Sequence, residues 1–229
     1  YLILYSTFLF ISVIVGAMVL YYRNKRLRYQ NIVNHEYQIP VTIIVPAYNE
    51  EVTVVETVKS LLSLEYHSYE IIVVDDGSKD NTLSVLRDFA KNDPSVRYLS
   101  FSRNFGKEAG LYAGLEHAAG EYISLIDADL QQRPEIVRDM VQILHQQPEY
   151  DVVAAYQDRR GEGKILSFFK KSFYTIINRL SDVTLSSDAS DFRTFRRSVK
   201  DSLLELAEYH RFSKGIFAWV GYETCFIPY

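Results

Sequence analysis

A single cysteine, Cys225, in 229 residues excludes an internal disulfide framework and any cysteine-rich zinc site. The five histidines (His35, His67, His117, His145 and His210) fall at no metal-ligand spacing, so a histidine metal cage is excluded as well. With only ten glycines and six prolines the chain has neither a collagen repeat nor a low-complexity tract. A net charge of −4 leaves no basic footprint for nucleic acid. Neither G-x-G-x-x-G nor G-x-x-x-x-G-K-[ST] occurs, which removes the dinucleotide fingerprint and the P-loop. What is present is 48% hydrophobic residues, enough for one sizeable α/β domain that needs no covalent staple.

The mean charge conceals a division. Residues 1–40 carry Arg23, Lys25, Arg26 and Arg28 against Glu36, whereas residues 41–229 are strongly acidic. Leu2 to Tyr22 contains no charge and is long enough to cross the ~30 Å hydrocarbon core as a helix. The basic cluster follows this run instead of preceding it, unlike a secretory signal. Residues 1–22 are therefore expected to span a membrane, with 23–39 as a basic linker and the C-terminal side in the cytoplasm. The chain opens on Tyr1, as a processed or partial chain would.

From residue 40 onward, short β-branched runs alternate with helical stretches. Strands are expected at 41–46, 69–74, 96–101, 122–126 and 151–156, and helices at 51–64, 80–91, 107–119 and 134–147. That alternation predicts a mostly parallel sheet with helices on both faces, binding ligands at the carboxyl ends of its strands. The first four strands each end in a polar cluster: 47–50, 75–78, 102–104 and 127–129. Four such ends on one edge imply a site. Asp127 and Asp129 alternate at i, i+2 on an extended segment and point to one side, which suits a divalent cation bridged to a diphosphate; a bare pair at this spacing is more often a helix-start Asx pair.

The series Val-Pro-Ala-Tyr-Asn-Glu (45–50), Val-Asp-Asp-Gly-Ser-x-Asp (74–80), Ser-Arg-Asn-x-Gly-Lys (102–107) and Asp-Ala-Asp (127–129) resembles the inverting family 2 glycosyltransferases. The resemblance implies a GT-A fold, a Rossmann-like α/β sheet, over residues 40–229. Within that family, Ser-Arg-Asn-Phe-Gly-Lys-Glu (102–108), Asp-Phe-Arg (191–193) and Arg-Phe-x-Lys-Gly (211–215) are most similar to polyprenyl-phosphate glycosyltransferases of the dolichyl-phosphate mannose synthase and bactoprenol glucosyltransferase type. By that likeness Pro46, Tyr48, Glu50 and Asp76 would cradle the nucleotide of a UDP- or GDP-sugar. Lys107 and Asp127 would meet the donor as well. Asp127, Asp129 and Gln131 would hold Mg²⁺ or Mn²⁺ and the diphosphate, with Asp129 and Asp191 as catalytic residues. Arg159 and Arg160 would bind the acceptor phosphate. The expected partners are the nucleotide sugar, a polyprenyl phosphate and membrane lipids, but no nucleic acid. The expected location is the cell membrane, with the catalytic domain cytoplasmic.

Asp191 beside Arg193 suits a base, a positioning group or a structural ion pair. Residues 164–180 pair an apolar face with Lys164, Lys170, Lys171 and Arg179, as an interfacial helix or a core helix would. Phe212 and Trp219 suit an acceptor-side wall or core packing. Two rival functions stay open: a processive polysaccharide synthase of the chitin, hyaluronan or poly-N-acetylglucosamine type, and a catalytically silent nucleotide-sugar-binding module.

Overall fold

The structure is a computed structural model that describes residues 39–156, 189–206 and 212–229, together with Gly16, Met18 and Glu208. The expected membrane span (Gly16 and Met18 apart), the linker up to Gln38, Arg159, Arg160 and the 164–180 helix lie outside the described residues. Among the described residues no helix is long and apolar enough to cross a membrane.

In chain order the elements are β1 (Val41–Ala47), α1 (Thr53–Leu62), β2 (Tyr69–Asp75), α2 (Thr82–Asn92), β3 (Val96–Ser100), α3 (Lys107–His117), β4 (Tyr122–Leu125), α4 (Glu135–Gln146), β5 (Val152–Tyr156), β6 (Ala189–Arg196), α5 (Arg197–Glu205), α6 (Ser213–Trp219) and β7 (Thr224–Pro228). The strands form one seven-stranded sheet in the order β3-β2-β1-β4-β6-β5-β7. β1, β2, β3 and β4 are mutually parallel where they pair, and β5 pairs parallel with β7. β6 is antiparallel to both of its neighbours, so the mostly parallel sheet contains one reversed strand.

β1 carries Val41, Ile43 and Val45 on one face and Ile44 on the other, all buried, because a strand's side chains alternate and helices cover both faces. α1 buries Val54, Val58 and Leu61 and α4 buries Val137, Met140, Val141 and Leu144 against the first face. α3, α5 and α6 supply Leu111, Leu115, Val199, Leu203, Ile216 and Phe217 to the second. β6 serves both cores, Phe192 facing the first and Phe195 the second. Its alternation of charged and aromatic side chains hid it from the strand pattern, since Asp191 and Arg193 sit where apolar residues normally mark a central strand.

The strand order places the site. The chain steps outward from β1 to β2 and β3, then returns past β1 to add β4 on the other side. This reversal opens a crevice at the carboxyl ends of β1 and β4, the position where open α/β sheets bind ligands. Because β6 runs antiparallel beside β4, the start of β6 lies at that same edge: Leu125 pairs with Arg193, two residues after Asp191.

Phe195 is fully buried and meets Phe217 edge-on at 5.1 Å. Phe195→Ala should lower the unfolding free energy by about 3–5 kcal/mol. Denaturant titration checks this, and a change within experimental error would remove Phe195 from the core of the fold.

Candidate active site

The floor of the site is a hydrogen-bonded zip between the loops after β1 and β2. Asn49 has a positive φ of 54°, a conformation Asn tolerates better than most residues. Its N–H donates to Ser78 Oγ at 2.9 Å, and its Oδ1 accepts from Lys79 N at 2.9 Å. Glu50 N donates to Thr82 Oγ1 and Glu51 N to Asp80 Oδ2, while Glu51 Oε2 accepts from Asn81 N and Nδ2. The Glu50 carboxylate accepts from Thr53 Oγ1 at the start of α1. Asp80 acts from just outside α2: Oδ1 accepts from Thr82 N at 3.0 Å and from Thr82 Oγ1 at 2.6 Å.

Two adjacent buried carboxylates then fix the third loop. Asp75 accepts from Ser78 N at 3.0 Å and Ser100 Oγ at 2.9 Å. Asp76 accepts from Phe105 N at 2.7 Å and Gly106 N at 2.8 Å. The structure thus gives Asp76 the work of bracing the 101–106 loop. Gly77 (φ 69°) must be glycine, since a Cβ there would lie 2.4 Å from the Arg103 carbonyl carbon. Above this brace, Phe105 is half exposed, its ring edge-on to Phe101 and covered by the Arg103 guanidinium at 4.5 Å.

The centre is Lys107, the first residue of α3. Its Nζ lies 2.7 Å from Asp127 Oδ1 and 3.0 Å from Asp191 Oδ2. Burial pulls the Lys107 pKa down, but the hydrogen bonds and charges of Asp127 and Asp191 outweigh it and hold it above the ordinary lysine value. Asp191 shows the mirror image. Burial pushes its pKa up, and the charges of Lys107, Lys214 and Arg193 with the Lys107 hydrogen bond bring it below the usual carboxylate range. Arg193 is buried beneath it and is pulled down to about 10 by that burial, against the charges of Asp191 and Glu108.

Residues 127–129 turn where the sequence pattern suggested an extended segment, so Asp127 and Asp129 have different surroundings. Asp127 is locked by Gln132, whose Oε1 accepts from Asp127 N at 2.9 Å and whose Nε2 donates to Asp127 Oδ2 at 3.1 Å. Asp129 is exposed, and its Oδ1 accepts from Gln131 N at 3.1 Å in an Asx turn followed by Leu130 at φ 62°. Gln131 is exposed too; the glutamine beside Asp127 is its neighbour Gln132. A cavity of about 320 Å³ opens next to Asp127, between Thr57 and Ser60 of α1 and Gln132, Arg133 and Pro134 ahead of α4. That volume is at the lower end of small-molecule pockets.

The structure therefore brings Tyr48, Glu50, Asp76, Lys107, Asp127, Asp129 and Asp191 to one edge of the sheet, with Tyr48 exposed. Pro46 lies just below them, partly covered, near the Cα of Gly110 in α3. Arg159 and Arg160 lie outside the described residues. The sequence pattern does not mark Gln132, Glu108 or Lys214 as site residues, although Glu108 and Lys214 stand inside its motifs. Among the described residues no group of three or more His, Cys, Asp or Glu gathers as a metal cage. The oxygen donors present, Asp129 above all, instead fit Mg²⁺ or Mn²⁺, which take one or two carboxylates with water and substrate phosphates.

Residues 42–204 match the family described as glycosyl transferase family 2. The chain belongs to that family. Among curated proteins similar to this family 2 member, a prophage bactoprenol glucosyl transferase homolog of Escherichia coli (strain K12) is 35% identical over 192 residues, covering 82% of this chain and 62% of its own. The chain spans about six tenths of the length of the curated relatives it matches. Two solved structures share the fold. The mannosyltransferase PcManGT from Pyrobaculum calidifontis, in complex with GDP-Man and Mn²⁺, has a TM-score of 0.61 at 23% identity, covering 93% of this chain and 63% of that one. S. aureus TarS 1-349 in complex with UDP-GlcNAc has a TM-score of 0.59 at 21% identity, covering 82% and 56%. These likenesses place the family 2 member on a GT-A-like α/β fold.

Lys107→Met leaves Asp127 and Asp191 facing each other without their cation. The site is open to water, so the loss should be about 0.5–1 kcal/mol. Asp191, with its pKa lowered in the folded state, adds stability above the ordinary carboxylate value of ~3.9 and loses it as pH falls through the folded value. Lys107, with its pKa raised, adds stability below the ordinary lysine value of ~10.4 and loses it as pH rises through the folded value. The difference between wild type and Lys107→Met should therefore be full between about pH 4 and 10 and shrink outside that window. Denaturant titrations across pH check the shape; a difference that persists unchanged at pH 2 would show that the bridge is not its source.

Proposed function

We propose that this chain is the catalytic part of a membrane-bound inverting glycosyltransferase. It moves a hexose from a UDP- or GDP-sugar to a polyprenyl phosphate at the cytoplasmic face. The E. coli relative's name supports the acceptor class, and the GDP-Man and UDP-GlcNAc complexes of its fold neighbours support the donor class. Residues 1–22 would anchor the protein, and Arg159 and Arg160 would meet the acceptor phosphate.

The observation that carries this reading is the Lys107 bridge. Inverting transfer needs a nucleophile in line with the bond between the anomeric carbon and the diphosphate. A sugar hydroxyl requires a base to take its proton. Asp191 is hydrogen-bonded to an ammonium and surrounded by further cations, which makes it a weak base. A phosphate monoester has a second pKa near ~6 and is largely anionic already, so it needs orientation more than deprotonation. The bridge thus favours a phosphate acceptor over the hydroxyl acceptor of a polysaccharide synthase.

On the donor side, Asp129 and Asp127 would hold Mg²⁺ or Mn²⁺. When bound, such an ion supplies charge to the leaving diphosphate. Lys107 stands beside Asp127, where its ammonium adds a second positive charge in a preorganised position. The zipped loops after β1 and β2 give the nucleotide a rigid floor, with Tyr48 exposed above it.

Full-length protein in membranes, given labelled nucleotide sugar, should yield a solvent-extractable product that mild acid releases. A water-soluble polymer would instead establish a polysaccharide synthase, and no product at all a silent binding module. Asp129→Ala should cut transfer by about a hundredfold or more, without rescue by excess Mg²⁺ or Mn²⁺. Unchanged turnover of that variant would overturn the metal assignment.

A further inference from the structure

Glu108 directly follows Lys107, yet the reaction as drawn gives it nothing to do. Among the described residues its carboxylate is hydrogen-bonded to one, Ser213. Ser213 N donates to Glu108 Oε1 at 3.1 Å and to Oε2 at 3.2 Å, and Ser213 Oγ also donates to Oε2. Ser213 opens α6, a helix of seven residues that is too short to be stable without tertiary fastening.

A second fastening comes from β6. The Arg193 guanidinium lies 4.2 Å over the ring of Phe217 in α6 and donates from Nη2 to Ser190 O at 2.9 Å. Its residue is only 5% exposed, and Nε has no partner among the described residues. Among the described residues the charges of Asp191 and Glu108 act on this guanidinium. α6 is therefore tied to α3 by a carboxylate and to β6 by a cation. Each tie comes from a residue one or two positions away from a member of the Lys107–Asp191 bridge.

α6 also brings a charge to bear on the site. Phe212, immediately before it, is half exposed, and the charge of Lys214 reaches Asp191. We propose that Glu108 is a positioning residue: by holding Ser213 it keeps the acceptor-side wall formed by Phe212 and Lys214 in register with the donor-side cation Lys107. This inference rests on the glycosyl-transfer reading above. The tie uses charge-assisted bonds to a carboxylate, so a neutral or shortened side chain at 108 weakens it directly.

The test uses the full-length protein with nucleotide sugar and polyprenyl phosphate. Glu108→Ala should raise the acceptor KM about tenfold while the donor KM stays within about twofold. Ser213→Ala should move the acceptor KM in the same direction by less, because its N–H remains. The double variant should be no worse than Glu108→Ala alone, as expected for partners in one interaction. Glu108→Gln keeps an oxygen for Ser213 and should fall in between. Hydrogen exchange of residues 213–219 should quicken in Glu108→Ala. Equal rises in both KM values, additive losses in the double variant, or unchanged KM values would each overturn the proposal. If Glu108→Ala fails to fold, Glu108→Gln and Ser213→Ala decide it by the same KM comparison. If the wild type transfers no sugar to polyprenyl phosphate, the functional reading fails separately. Exchange then judges the tie: unchanged protection of α6 in Glu108→Gln overturns it, and faster exchange supports it.

Discussion

One ammonium group organises this site. Lys107 stands within 3.0 Å of two carboxylates that arrive from different parts of the chain. Two like charges at that separation would repel, so the cation is what lets Asp127 and Asp191 occupy the same corner. The meeting depends on the single reversed strand. Had β6 run parallel to β4, its Asp191 end would lie at the opposite edge of the sheet, far from the turn that carries Asp127. The antiparallel pairing of Leu125 with Arg193 puts the two acids together.

Around this corner the polar groups are secured in order of burial. Asp75 and Asp76 are nearly inaccessible, and each accepts two hydrogen bonds. A buried carboxylate without partners would carry a heavy desolvation cost, and these four bonds offset it. Further out, Asn49, Glu51 and Asp80 exchange bonds across two loops that are exposed on one side. The Lys107 corner stays partly open to water, its three side chains 27–41% exposed. Rigidity therefore comes from below, and exchange with ligands is left to the top.

Much of this was legible in the chain. The β-branched run of β1, the polar clusters at strand ends and the alternation with amphipathic helices follow from side-chain periodicity alone, and the structure reproduces β1 to β5 within a residue or two. α5, α6 and β7 were not read from the pattern, and three further features escaped it, each for a physical reason. β6 reads as charged because it carries site residues on a buried strand. The Asp127–Asp129 segment reads as extended because the positive φ of Leu130 leaves no mark in hydropathy. The choice between Gln131 and Gln132 is made by that same turn, which sends the second glutamine back to Asp127. Pattern locates an edge, and backbone geometry decides which of two neighbours faces it.

Asp76 carries one more consequence. Its carboxylate holds the N–H of Gly106, the residue just ahead of Lys107. The position of the central cation is therefore inherited from the end of β2 and not from its own helix. For anyone recombining domains of this family, the end of β2, the 101–106 loop and the first turn of α3 form one cassette. A chimera whose crossover falls between Asp76 and Lys107 joins a brace from one parent to a cation from another. A crossover in α2 is of this kind, because Thr82–Asn92 lies between the brace and the cation.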